Sequence, residues 1–115
     1  MSYSDYIESV TNIHHRDMNH SNGTAMSGCV QYVEYKLGKT HGSGDNMRSY
    51  YFVDKIEIPE PSDPATMIPL ADVTEANCIT WAKAAKGEAW LTAEKERIDK
   101  ILDEMVNPYT VTSFE

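Results

Sequence analysis

Proline placement constrains this chain more than any other feature of its sequence. Four of the five prolines, Pro59, Pro61, Pro64 and Pro69, lie in one short stretch. Proline has no backbone N–H and a fixed φ, so it cannot sit inside a continuing β-sheet. It also pushes the residue before it towards extended geometry. The stretch therefore predicts a stiff, extended crossover, and its apolar residues are expected to press onto a neighbouring surface. These residues are Met67, Ile68 and Leu70.

The part of the chain before the crossover has the period-two pattern of β-strands. The alternation predicts three strands, over residues 6–16, 29–37 and 48–58. Residues 17–24 are turn-forming, with Asn22-Gly23 as a strong turn dipeptide. The second strand is expected to end at Gly38, and residues 39–46 to form a flexible connection. Consecutive strands joined in this way favour an antiparallel meander.

The same alternation assigns the faces of the strands. In the second and third strands the expected inward residues are Cys29, Gln31, Val33, Tyr35, Leu37, Tyr50, Phe52, Ile56 and Ile58. Tyr32 and Tyr51 share the outer parity, so a partner could cover part of the second face. The first strand has a weaker apolar signal and suits a sheet edge. Four of its residues share one parity and are expected on one face: Ile7, Thr11, Ile13 and His15.

After the crossover the apolar period becomes that of a helix. Thr74 is the expected N-cap, with Glu75 in the first turn near the positive end of the helix dipole. Gly87 predicts a helix end or a kink, and Pro108 stops the helix. Eight side chains are expected to be mostly buried: Val33, Phe52, Ile56, Ile79, Trp81, Leu91, Ile98 and Leu102.

These patterns predict the α+β class: a small antiparallel three-stranded meander, then a proline-rich crossover, then a helix pair packed on one sheet face. A chain of 115 residues is expected to form one domain, residues 1–115. Its parts are a β region (1–58), the crossover (59–72), a helical region (73–107) and a tail (108–115).

Charge and cysteine content exclude several classes of function. Ten Lys and Arg against eighteen Asp and Glu give a net charge of −8. Nucleic acid and anionic membranes both require clustered cations, so neither is an expected partner. No apolar run approaches the roughly 20 residues that span a bilayer, and no secretory signal is expected at the N-terminus. Cys29 and Cys78 are expected as free thiols, with a disulfide as the alternative.

Catalytic and metal-binding candidates are weak. His14, His15 and His20 suggest a metal site, but adjacent residues on a strand point to opposite faces, so His14 and His15 would not converge on one ion. Of the three, His15 is expected to pack inward with Ile13. Cys78 could be a nucleophile only if its pKa were lowered, and the apolar residues around it favour packing instead. We therefore expect no catalytic residue, no metal and no cofactor.

Aromatic residues are the stronger functional signal. Tyrosine buries a large area while keeping a polar tip, and it is enriched at interfaces. The tail alternates weakly after Pro108, so it could extend along a partner or add to a sheet edge. We expect it to be ordered by contact with another subunit. The candidate partner interface comprises Tyr32, Tyr51, Tyr109, Val111 and Phe114.

The crossover also resembles a known family. It reads I-P-E-P-S-D-P-A-T-M-I-P-L-A-D-V-T-E and leads into a helix with an apolar-x-W pattern and a Gly at its end. This is similar to a family of small uncharacterised proteins of tailed bacteriophages, over about half of the chain. Met67 stands where that family usually has an aromatic residue. The matching positions are Pro59, Pro61, Asp63, Pro64, Ile68, Pro69, Asp72, Thr74, Glu75, Ile79, Trp81, Gly87 and Glu88.

The resemblance implies a phage origin and supplies no catalytic residue. The first hypothesis is a non-enzymatic structural or accessory protein of a phage particle, in the tail or on the capsid. It would be assembled in the bacterial host cytoplasm, in multiple copies, through contacts with other phage structural proteins. The alternative is a soluble, acidic phage protein that binds and inhibits a host enzyme. The net charge of −8 would suit binding to a basic site on that enzyme, by mimicry of nucleic acid.

Overall fold

The computed structural model describes residues 6–42 and 44–114. The elements are β1 (Ile7–Asn19), β2 (Ala25–His41), β3 (Arg48–Glu57), α1 (Glu75–Lys86) and α2 (Glu88–Val106), with short 3₁₀ turns at Gly44–Asn46, Pro64–Thr66 and Leu70–Asp72. The strands form an antiparallel sheet in the order β1-β2-β3. Both helices pack against this sheet, which confirms the predicted α+β class.

The strands are longer than their sequence patterns indicate. β2 does not end at Gly38: Lys39 and Thr40 continue the ladder opposite Tyr50 and Ser49. The expected flexible connection at 39–46 is therefore much shorter. At the other end, β1 and β2 meet in a tight turn closed by a hydrogen bond from the His20 backbone N–H to the Thr24 carbonyl oxygen (2.7 Å).

The predicted faces of β3, and of β2 from Tyr32 onward, are confirmed, whereas Val30 has the outer parity and yet packs against the core. Their inward residues form the centre of the core: Cys29, Val33, Tyr35, Leu37 and Ile56 are buried, while Tyr50, Phe52 and Ile58 are half-buried against them. On the opposite face Val53 is 51% exposed. Regular alternation holds here because the pairing of β2 with β3 runs without a bulge from Tyr32 to His41.

The predicted face of β1 is wrong. The register shifts between Val10 and Asn12, and Thr11 is left out of the pairing. A bulged residue reverses the parity of the residues after it, so Val10 and Ile13 both pack against the core. Ile7 is 54% exposed, and Thr11 and His15 are also exposed. Further shifts occur between His14 and His15 and between Arg16 and Met18.

The two helices begin and end where the sequence indicates. Thr74 forms a capping box with Asn77, whose N–H donates to the Thr74 hydroxyl while its own side chain accepts from the Thr74 N–H. Gly87 has φ 86° and separates α1 from α2. The helices bury Cys78, Ala82, Leu91, Ile98 and Leu102. Of the expected core, Ile79, Trp81 and Phe52 are only half-buried.

Polar contacts across the core fix both helices on the sheet. Lys39, predicted to lie in a flexible connection, is 1% exposed and places its Nζ 2.6 Å from the Asp99 carboxylate of α2. The Tyr6 hydroxyl donates to the same carboxylate, also at 2.6 Å. For α1, Lys83 pairs with Glu8 of β1, which also accepts from the buried Tyr35 hydroxyl at 2.6 Å. Such pairing offsets the cost of burying these polar groups.

Candidate functional site

An apolar groove separates the proline crossover from α1. Its volume is about 390 Å³. We call it the crossover groove; its lining residues are Cys29, Val30, Ile58, Pro59, Glu60, Pro61, Thr66, Met67, Ile68, Trp81, Ala84 and Ala85. Glu60 is the one charged residue in this set. The groove thus offers apolar and aromatic surface with few polar groups, which is the usual composition of a ligand pocket.

The crossover wall of the groove is held by local hydrogen bonds. The Asp63 carboxylate accepts from the Ala65 N–H at 2.9 Å, and the Met67 N–H donates to the Pro64 carbonyl oxygen at 3.3 Å. Met67 and Ile68 line the groove, as expected of apolar residues that press onto a neighbouring surface.

Leu70, the third of these apolar residues, packs on β2 beside the groove. Gly28 allows this approach, because a Cβ atom on Gly28 would lie 3.0 Å from the Leu70 Cβ. Gly28 also has φ +62°, a conformation that other residues rarely adopt. The small residue therefore lets the end of the crossover rest directly on the sheet.

His20 connects the crossover to the turn between β1 and β2. Its ring is buried, and its Nδ1 accepts a hydrogen bond from the Asn22 N–H (3.0 Å). Nε2 therefore carries the proton and donates to the Pro61 carbonyl oxygen (2.6 Å). Glu60 lies 2.9 Å from the same nitrogen and accepts from the Ser21 N–H at 2.6 Å, a bond that lowers the pKa of Glu60. His20 thus holds the crossover wall of the groove against the turn between β1 and β2.

The other two histidines considered for a metal site lie on the surface. His14 is exposed and 2.9 Å from the Glu34 carboxylate. His15 is exposed too, so the expectation that it packs inward is wrong. The register of β1 with β2 shifts between His14 and His15, so a parity counted from Ile13 no longer predicts the face of His15. In the described residues, no group of three or more His, Cys, Asp or Glu side chains could hold a metal ion.

The tail is the most exposed apolar segment that the structure describes. Tyr109 is 74% exposed, Val111 is 90% exposed and Phe114 is 97% exposed. Residues 108–114 have no helix or strand assignment, and α2 ends with the Asn107 N–H bonded to the Asp103 carbonyl oxygen. Three of the five predicted interface residues therefore project away from the domain.

The other two predicted interface residues, Tyr32 and Tyr51, lie on the outer sheet face and are half-buried. Lys55 sits 4.4 Å from the centre of the Tyr32 ring, and Lys36 sits 5.1 Å from that of Tyr51. Tyr51 pairs with Gly38, six positions along β2 from Tyr32, so about 20 Å separates the two tyrosines. They share a face without forming one continuous patch.

The two cysteines are free, buried thiols, as predicted. Burial raises the pKa of the Cys78 thiol, and the Glu75 carboxylate adds to this effect. A raised pKa keeps the thiol protonated, which fits a packing role. Cys29 lies on the floor of the crossover groove, and sequence reasoning did not associate it with Trp81 because the two residues are far apart in the chain.

The groove and the tail are two accessible, largely apolar surfaces on a small α+β domain. The chain belongs to the family described as a domain of unknown function (DUF7936), whose family model matches residues 8–115. This match covers the sheet, the crossover, both helices and the tail. Comparison with curated proteins and with solved structures finds no match. Within the described residues, no helix is long and apolar enough to cross a membrane.

Proposed function

We propose that this chain is a non-enzymatic structural or accessory protein of a tailed-phage particle, located in the tail of the particle or on its capsid. It acts through protein–protein contacts with other structural proteins and is present in several copies. The observation that carries the proposal is the exposure of Tyr109, Val111 and Phe114.

An exposed tail of this composition gains free energy only when something covers it. Burial of apolar surface contributes about 25 cal/mol per Å². Phe114 buries almost none of its surface within its own domain, so that gain is available to a partner. An extended segment binds well in this way, because its backbone can pair with a sheet edge while alternate side chains enter pockets.

The outer face of the sheet offers a second contact surface. An antiparallel sheet commonly leaves one face to water and fills it with polar residues. Here that face includes Ile7 and Val53, both more than half exposed, and the half-buried Tyr51. A partner that covers this face would bury apolar side chains that the helices leave open.

The phage assignment rests on the resemblance of the crossover. Three patterns resemble that phage family. They are the D-P-x-x-x-I-P pattern that ends in Pro69, the D-x-T-E start of α1 and the apolar-x-W pattern ending in Trp81. The alternative function, an acidic phage protein that binds and inhibits a host enzyme, is supported by the net charge of −8. Arg97 and Lys100 interrupt the acidic surface of α2, which makes mimicry of nucleic acid the weaker proposal.

Mass spectrometry of purified particles tests the proposal. In particles of a phage that encodes this chain, we expect the full chain at a fixed stoichiometry. A variant that lacks residues 108–115 should be absent from them, although its melting temperature changes by less than about 2 °C because the tail is outside the core. Thr112→Ser is the matched control, since it keeps the apolar tail residues, and it should be incorporated normally.

Two results would contradict these expectations. A full chain that is abundant in infected cells and absent from purified particles would contradict the structural role and favour the host-enzyme alternative. A truncated chain that melts markedly lower would show that the tail belongs to the core of its own domain.

A further inference from the structure

We propose that the crossover groove of one copy binds the tail of a second copy. The inference rests on the proposed function, and it names the partner and both contact surfaces. It predicts a head-to-tail contact between identical chains, with Tyr109, Val111 and Phe114 as the inserted side chains.

The groove suits these side chains in size and chemistry. Its volume of about 390 Å³ falls within the range of about 300–1,000 Å³ typical of ligand sites. Trp81 supplies an aromatic wall and Met67 a flexible one, and methionine adapts readily to aromatic side chains. A phenyl ring and a neighbouring aliphatic side chain are the kind of group that such a surface accepts.

The direction of α2 shows where the tail begins. Near its start, Trp90 lies against Tyr35, with 6.1 Å between ring centres. Near its middle, Asp99 contacts Lys39, four positions further along β2. The helix therefore runs along β2 towards the hairpin between β2 and β3. From Asp99 to Val106 it advances about another 10 Å, which places the start of the tail level with that hairpin.

The groove lies at the opposite end of the sheet. Its floor is at Cys29, and the Ile58 N–H bonds to the Gln31 carbonyl oxygen nearby. His41 is twelve positions further along β2, a distance of about 40 Å. Residues 107–114, fully extended, span at most about 29 Å. An extended tail is shorter than this distance, so a tail that enters the groove as far as Cys29 is supplied by another copy.

Charge also favours this pairing. Two copies that each carry a net charge of −8 repel one another. The segment 107–114 contains no charged residue, and the groove lining contains only Glu60. Although Glu115 follows this segment, the contact joins two surfaces that carry little charge.

Copies arranged head to tail make this contact heterologous, whereas two antiparallel copies that exchange both tails close as a two-fold dimer. Heterologous contacts form a ring if the rotation between neighbours closes, and an open filament if it does not. Each chain in such an assembly uses both surfaces, except at the ends of a filament.

Two variants each remove one half of the contact. The first ends at Asn107 and lacks the tail. The second, Ala85→Arg, places a long charged side chain in the groove from an exposed position on α1. Ala93→Arg is the matched control, because Ala93 is exposed on α2 and does not line the groove. Arginine has good helix propensity, so both substitutions should leave the fold intact, which circular dichroism checks.

Sedimentation velocity then measures the assembly of the purified chains. We expect the wild-type chain and Ala93→Arg to associate equally with rising concentration, and each half-contact variant to stay monomeric. A mixture of the tail-less chain and Ala85→Arg should form a one-to-one dimer that grows no further, because only one groove and one tail remain available.

Three results would overturn the inference: a wild-type chain that stays monomeric up to about 1 mM, an Ala85→Arg chain that associates like wild type, or a mixture that forms no dimer. None of them decides the proposed function, since incorporation into particles through other partners is measured separately. Failure of this inference and failure of the structural role are therefore distinguishable.

A peptide locates the contact directly. The probe is the amidated peptide N-P-Y-T-V-T-S-F, residues 107–114, added to the tail-less chain while tryptophan fluorescence is recorded. Binding should change the emission of Trp81. A control peptide with Ser in place of Phe114 should bind at least about tenfold more weakly, as expected for loss of an aromatic anchor.

The same peptide should not bind the tail-less chain that also carries Ala85→Arg. Equal binding to chains with open and blocked grooves would place the tail on another surface, such as the outer sheet face. No binding up to about 1 mM would mean that the tail has a different partner. Either result contradicts the inference.

Discussion

A lysine in the core of a small domain needs its charge compensated. Lys39 is 1% exposed, and it meets the Asp99 carboxylate on one side and the Tyr6 ring, 4.0 Å from the ring centre, on the other. Breaking a buried ion pair leaves an uncompensated charge and costs more than replacing both partners by apolar groups. The pair therefore holds α2 against β2 only while both members are present.

Asp99→Ala should lower the free energy of unfolding by about 3–5 kcal/mol, because it leaves the buried Lys39 without its ion-pair partner. The partial exposure of Asp99 places the loss towards the lower end of this range. The double variant Lys39→Met, Asp99→Ala should recover most of it. Urea unfolding of the three chains measures both effects. An equal loss in the single and double variants would mean that the charge of Lys39 is not the cause.

Tyr35 predicts a loss of stability in alkali. Burial, together with the hydrogen bond to Glu8 and its negative charge, raises the pKa of Tyr35 well above its ordinary value of 10.0. Above about pH 10 the unfolded chain releases this proton and the folded chain keeps it, so the free energy of unfolding falls as pH rises. The slope from this group reaches at most about 1.4 kcal/mol per pH unit.

Tyr35→Phe should remove that part of the slope, since the substituted residue has no proton to lose. It should also lose about 1–2 kcal/mol near pH 7, because Glu8 no longer receives the hydroxyl hydrogen bond. Urea unfolding at intervals between pH 8 and pH 11 compares the two chains, and the remaining tyrosines affect both equally. Parallel pH profiles would show that Tyr35 is not protonated differently in the folded and unfolded states.

At the scale of the elements, sequence alone predicts those whose pattern is regular. β2 and β3 pair without interruption, so period-two alternation correctly separated Val33 from Tyr32. The N-cap at Thr74 and the helix end at Gly87 depend on local sequence and were predicted as well. β1 could not be predicted in the same way, because a bulge at Thr11 changes the parity and depends on pairing with a distant strand.

Gly38 is central to the pairing of β2 with β3. A Cβ atom at this position would overlap the Tyr50 carbonyl oxygen and lie 2.6 Å from the Tyr51 Cα, and backbone atoms cannot move aside cheaply. Gly38→Ala should therefore lower the free energy of unfolding by about 3 kcal/mol or more. Gly23→Ala is the control, because a Cβ atom there meets open space. Its φ of +94° alone should lower the free energy of unfolding by about 1–2 kcal/mol. Chemical denaturation compares them, and equal losses would refute the steric argument.

On the scale of the whole molecule, the exposed tail was predictable and the groove was not. The tail comes after Pro108 and has too few apolar residues to form a core of its own, so its exposure is a consequence of local sequence. The groove joins Cys29 of β2, Met67 of the crossover and Trp81 of α1, and only the tertiary fold brings them together. The one available signal was the run of prolines, which indicated a rigid wall with apolar side chains.

Ionic strength tests whether copies associate through surfaces of low charge. Raising NaCl from about 0.1 M to about 1 M shortens the Debye length from about 10 Å to about 3 Å. Because each copy has a net charge of −8, this should weaken repulsion and tighten wild-type self-association several-fold. Sedimentation at both salt concentrations measures the change, with Ala85→Arg expected to stay monomeric. Weaker association at high salt would instead indicate contacts between opposite charges.

The labelling rates of the two thiols measure how readily the groove opens. Cys29 faces the groove and Cys78 lies in the core, and both are buried. A thiol reagent reaches Cys29 when the crossover lifts from α1, whereas Cys78 requires a much larger opening. The ratio of the two labelling rates therefore reports the free energy of groove opening relative to that of unfolding. A bound tail should slow the first rate and leave the second almost unchanged.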